Sequence, residues 1–122
     1  MKSKDPIKKR RLGKSITFLL PSVKMKSSSQ RGVHFEREFH DFLMNHFKGY
    51  TVTAGSITGY WLDNEKAEEC NEHRQYQVAL SRPKDLPLLE RRLALLAGEL
   101  GERTVFCDIH GDAYIVEASP SA

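Results

Sequence analysis

Apolar and polar residues alternate along this chain in two rhythms, and the changes between them predict its elements. Ser15–Pro21 is apolar or β-branched, follows Gly13 and stops at a proline, which predicts a strand. Residues 22–33 are rich in Ser and Lys and read as a mobile loop. From His34 to Lys48 the rhythm turns helical. Phe35, Phe39, Phe42, Leu43 and Phe47 share one face, and Gly49 is placed to end the helix.

Tyr50–Asp63 is dense in Thr, Val, Ile, Tyr and Trp, which predicts a strand, with Gly55 and Gly59 marking a bend or bulge. A polar turn leads into a return strand, Glu68–Ser81. In its second half Tyr76, Val78 and Leu80 alternate with Gln75, Gln77 and Ala79, so one face is buried and the other is wetter. Pro83 closes it. Asp85 is placed to cap a helix to Leu100 with Leu86, Leu89, Leu93, Leu96, Ala97 and Leu100 on its apolar stripe, and Gly101 ends that helix. Thr104–Asp108 and Ala113–Val116 are strands joined by a turn at His110-Gly111-Asp112.

The order β-α-β-β-α-β predicts an α+β, ferredoxin-like domain: a four-stranded antiparallel sheet with both helices on one face and a short extra C-terminal strand. The expected organisation is a disordered basic leader at 1–14, the domain at 15–117 and a flexible tail at 118–122. The face without helices carries some of Tyr60, Trp61, Tyr76 and Tyr114. A face-to-face homodimer is the simplest way to cover it.

Composition changes this picture in one respect. The 122 residues, 39% hydrophobic and 29% charged, suit one soluble domain, and no apolar run is long enough to cross a membrane as a helix. The net charge of +3 conceals a leader of +6 over residues 1–14 and a body of −3. Lys8, Lys9, Arg10 and Arg11 are therefore candidate contacts for nucleic acid or another anionic surface, bound weakly and without sequence preference. The competing reading is a solvated leader that aids solubility. The apolar stretch after the leader is too short for a signal peptide, and Cys70 and Cys107 fit no CxxC pattern. Both point to the cytoplasm and free thiols.

Gly49-Tyr50-Thr51-Val52, followed by Gly59-Tyr60-Trp61-Leu62-Asp63, resembles the hairpin of a small bacterial family of unknown function. That family's pattern is close to G-x-T-V-x-x-A and then G-x-W-x-D. Here Ala54 comes one place early, and Lys66 stands where the family often has glycine. The resemblance runs from about residue 15 to residue 116. It implies a ferredoxin-like or dimeric α+β-barrel fold and brings no catalytic residue.

Candidate chemistry is sparse. Trp61 and Asp63, at a strand end, form a possible ligand platform with an aromatic surface and a carboxylate rim; the competing roles are a packed indole and a turn-stabilising carboxylate. His73 with Glu72 or Asp63 to orient it has the makings of a general base in a cavity near Trp61, with Tyr76 on the same strand, and the competing role is a surface histidine. Cys70, His73, Cys107 and His110 are metal-ligand types, but the expected strand order sets them apart, so neither metal nor cofactor is expected. His34, His40 and His46, spaced by six, scatter around a helix. No phosphate-loop, Rossmann or nucleophile-elbow motif is present, and His73–Leu80 lacks the aromatic pattern of RNA-recognition strands. The favoured function is a non-catalytic ligand- or partner-binding module acting as a homodimer. The alternatives are a small dimeric α+β-barrel enzyme and a nucleic-acid accessory protein using its leader.

Overall fold

One strand twice the usual length organises the molecule. A computed structural model describes residues 6–29, 32, 34–53, 55–63 and 67–119, of which 62, 63 and 67–71 are described by backbone alone. The elements are β1 (Lys14–Pro21), α1 (Ser22–Met25), α2 (Phe35–His46), β2 (Tyr50–Val52), β3 (Ile57–Asp63), β4 (Ala67–Leu80), α3 (Asp85–Leu100), β5 (Thr104–Ile109) and β6 (Asp112–Glu117). The fourteen residues of β4 pair with β1 over 73–80, with β2 over 76–78 and with β3 over 67–73. The sheet order is β2-β4-β1-β5-β6, with β3 also on β4 and every pairing antiparallel.

The fold is α+β as expected, but the sheet has six strands rather than four and a short extra one, and there are three helices rather than two. Two causes account for the larger sheet. The stretch predicted as one strand splits: between Val52↔Tyr76 and Ile57↔His73 it spends two more residues than β4 does, so the chain bulges around Gly55. The C-terminal strand is also full length, pairing with β5 from Thr104↔Glu117 to Ile109↔Asp112. The loop after β1 differs as well. Ser22–Met25 forms a helical turn because Met25 is wholly buried, and the Phe35 N–H bonds back to the Ser27 carbonyl at 3.1 Å.

Period-2 alternation sets the faces of the sheet. Ile16, Phe18 and Leu20 on β1, Tyr76, Val78 and Leu80 on β4, and Val105, Cys107 and Ile109 on β5 are all buried toward the helices. Phe35, Phe39 and Leu43 of α2 and Leu89, Leu93, Leu96 and Leu100 of α3 complete one cluster. Phe42 is half-buried, with the Arg92 guanidinium 5.4 Å above its ring. Burial pushes the Cys107 thiol up to about 12, with the charge of Glu90 adding to it. Two carboxylates near the start of α2 reach across the layer, Glu36 to Arg74 on β4 and Glu38 to Arg92 on α3.

Helix ends follow local chemistry. Gly101 sits at φ +74°, and the Glu102 N–H closes on the Ala97 carbonyl at 2.8 Å, which ends α3 as predicted. The other helix leaves earlier than Gly49. Phe47 takes an extended conformation and turns inward, edge-on to Phe42 at 5.8 Å.

Phe39 touches both Phe18 and Tyr76, at ring separations of 6.0 and 5.5 Å. Phe39→Ala should lower the unfolding free energy by about 3–5 kcal/mol in urea titrations. Met44→Ala, on the exposed side of the same helix, should change it by less than about 1 kcal/mol.

Candidate ligand-binding site

Two regions bring together chemically useful side chains. The first lies on the outer, helix-free face of the sheet. Trp61 on β3 packs its indole 5.2 Å from the His73 ring and 5.7 Å from Phe106 of β5, and Nε1 donates to Thr104 Oγ1 at 3.2 Å. Because β5 lies two strands from β4, the β3–β4 hairpin bends across the outer face. Gly59 permits the bend: a Cβ there would stand 2.4 Å from the indole. Part of the face expected to be open is thus covered by the chain itself. His73 is 2% exposed, and its Nδ1 has no hydrogen-bond partner among the described residues.

The structure brings Trp61 and His73 together and separates both from Tyr76. Tyr76 faces the helices, stacked on Phe18 at 5.4 Å, its hydroxyl pushed up to about 12 by burial and secondarily by Glu36. The backbone of Asp63 pairs with Ala67 where the hairpin closes; its side chain lies outside the described residues, as does that of Cys70. Cys107 and His73 lie on opposite faces, and no group of three His, Cys, Asp or Glu gathers as a metal site among the described residues. Lys8, Lys9, Arg10 and Arg11 are exposed, in a segment without helix or strand.

The second region is a cavity of about 340 Å³ at the end of the sheet where β1 begins and β4 ends. Leu80, Pro83 and Leu86 give it apolar lining, while the exposed Arg11, Lys14, Arg82 and His110 supply its polar rim. Each rim residue is held by a local device. Lys14 is paired with Leu80 in the β1–β4 ladder. Gly13, at φ +141°, lies so close to that ladder that a Cβ would stand 2.2 Å from the Leu80 carbonyl oxygen, so only glycine brings Arg11 to the rim. His110 occupies the left-handed region at φ +54° in the β5–β6 turn, whose Gly111 N–H donates to Asp108 at 2.9 Å.

Asp85 fixes Arg82. Its carboxylate is fully buried and accepts the Ser81 and Arg82 backbone N–H groups at 3.1 and 3.0 Å, with the Arg82 guanidinium at 3.0–3.1 Å. The expected cap therefore points backward, closing the turn before α3. Burial works to raise the Asp85 carboxyl, but these bonds and the Arg82 charge outweigh it and hold the group below its ordinary value. Among the described residues neither Arg11 nor Lys14 enters an ion pair, so the rim keeps a net positive charge.

Lys14, Arg82 and His110 lie far apart in sequence, so their convergence is not readable there. The one local signal is Ser81-Arg82-Pro83 with Asp85, a carboxylate placed to close a strand-to-helix turn. Comparison with family models, with curated proteins and with solved structures finds no match for this chain.

Asp85→Ala should cost about 1–3 kcal/mol, since it leaves two backbone donors unpaired. The wild-type carboxyl is depressed in the folded state, so its contribution is complete above the ordinary carboxylate value. It is lost as pH falls through the depressed one. Urea titrations at descending pH should show this acid loss in the wild type and a flatter profile in the variant. Gly59→Ala should shift the emission of the single tryptophan to longer wavelength while leaving the helical circular dichroism unchanged.

Proposed function

We propose that this protein is a non-catalytic binding module whose cationic cavity seats a phosphate-bearing ligand. The cavity carries the reading: about 340 Å³, with apolar lining and Arg11, Lys14 and Arg82 on its rim. These cations offer charge-assisted hydrogen bonds to an anion, and a guanidinium matches the oxygens of a phosphate in two-pronged fashion. Leu80, Pro83 and Leu86 suit a ligand with an apolar portion beside its charge.

A second reading has its own support. Lys8, Lys9 and Arg10 lead directly to Arg11 at the rim, so a longer polyanion such as nucleic acid would follow the leader out of the cavity. The module is cytoplasmic and homodimeric in this proposal. Its frame is ferredoxin-like and enlarged at the edge: the neighbour order β5, β1, β4, β2 supports that reading, with β6 added beyond β5.

Calorimetric titration with pyrophosphate and with a short single-stranded oligonucleotide tests the proposal. Lys14→Glu should weaken pyrophosphate binding about tenfold or more, the loss of one charge-assisted contact. Removing residues 1–10 should weaken oligonucleotide binding and lower its salt dependence while sparing pyrophosphate. Equal affinity in the wild type, Lys14→Glu and Arg11→Glu would rule the cavity out.

A further inference from the structure

The sheet of the described residues ends at β6. Among the described residues β6 pairs with β5 on one side and with no strand on the other. Five of its six residues are exposed, Tyr114 and Ile115 to 49% and 40%. Its sequence, Asp-Ala-Tyr-Ile-Val-Glu, is rich in strand-forming residues. It contains no lysine or proline, its unbroken register with β5 leaves no bulge, and its two charges, Asp112 and Glu117, stand at its ends, so its centre carries none of the usual protections of an edge. The border strand at the opposite end, β2, is three residues long.

The phase of the edge follows from the turn. His110 and Gly111 both have positive φ, +54° and +98°, the signature of a two-residue type I′ hairpin, so Ile109 and Asp112 form a hydrogen-bonded pair. The Ala118 N–H to the Arg103 carbonyl at 2.9 Å continues the same phase. Asp112, Tyr114 and Val116 therefore bond to β5. Ala113, Ile115 and Glu117 direct their N–H and C=O groups outward.

We propose that β6 pairs antiparallel with β6 of a second copy across a two-fold axis at Ile115, joining two six-stranded sheets into one. The proposal rests on the homodimer reading above and gives it a location, at the edge of the sheet. Outward-bonding residues must meet outward-bonding residues. This excludes the register that would set Asp112 against Glu117. The register centred on Ile115 is in phase: Ile115 meets Ile115 of the second copy, Tyr114 meets Val116, and Ala113 meets Glu117. Ala113, Ile115 and Glu117 each exchange two hydrogen bonds with their opposite residue. Tyr114 beside Val116 is a favourable aromatic–β-branched pair, formed twice by symmetry.

Neighbouring rows agree with this register. Phe106 is already paired with Ile115, so the outer face would carry Phe106, Ile115 and the same two residues of the second copy in one line. Each Glu117 faces an alanine. The next acid along its row is Asp108 of the second copy, one strand further on, about 9.6 Å away. That is about one Debye length at moderate salt, so the acids do not oppose pairing strongly.

Sedimentation combined with residue-resolved amide exchange tests the proposal. The wild type should sediment as a dimer at high micromolar concentration, with the amides of Ala113, Ile115 and Glu117 protected. Ile115→Lys should sediment as a monomer. Those three amides should then exchange about a hundredfold faster, while Tyr114, Val116 and Cys107 keep their protection and show the fold intact. In oxidised mixtures Ala113→Cys should crosslink to Glu117→Cys, and Ala113→Cys alone should not crosslink to itself. A 13.9 kDa monomer at all concentrations overturns the edge pairing and the homodimer reading together. A dimer whose Ala113, Ile115 and Glu117 amides exchange freely overturns the edge pairing alone, and binding of phosphate by the cavity is independent of both results.

Discussion

The antiparallel ladder between β1 and β4 is the constraint on which the rest of the molecule depends. It places Phe18 opposite Tyr76, and their rings stack at 5.4 Å with planes 4° apart. A slip of one residue would put the two rings on opposite faces, break their stack and remove half of the surface on which Phe39 packs edge-on. The same ladder sets Lys14 beside Leu80 at one end and Pro21 beside His73 at the other. The cationic cavity forms at the first end, and the Trp61 hairpin bends away at the second.

Local signals in the sequence carry most of the elements. The Leu stripe and Gly101 define α3 because helix period and a left-handed stop are written in adjacent residues. The alternation of Tyr76, Val78 and Leu80 reports the buried face of β4 for the same reason. What is not legible depends on partners distant in sequence. The bulge near Gly55 exists because β4 is shared among three other strands, and nothing within Tyr50–Asp63 reports that sharing. Met25 sits in a polar stretch that reads as loop, and only the completed core gives it a place. Of the aromatic residues picked out on the strands, Trp61 and Tyr76 differ in their face. Strand parity separates them only once the register across the bulge is known.

The two faces of the sheet are finished by different means. Two amphipathic helices seal one face with large apolar side chains. The other is covered in part by the protein's own hairpin, held by one indole, one hydrogen bond to Thr104 and a glycine that makes room. The cavity lies at neither face. It forms where a strand start, a strand end and a hairpin turn meet, and it keeps charge because Asp85, buried behind it, pairs with Arg82 and two backbone amides, while Arg11 and Lys14 enter no ion pair among the described residues.

Cys107 has a chemical consequence of its own. A thiol pushed up to about 12 by burial stays protonated at neutral pH, and the thiolate is the form that attacks peroxides and disulfides. The sulfur therefore behaves as a small apolar atom filling space beneath α3. Burial thus removes both the charge and the access that thiol chemistry needs, and Cys107 serves β5 as packing rather than as a reactive group.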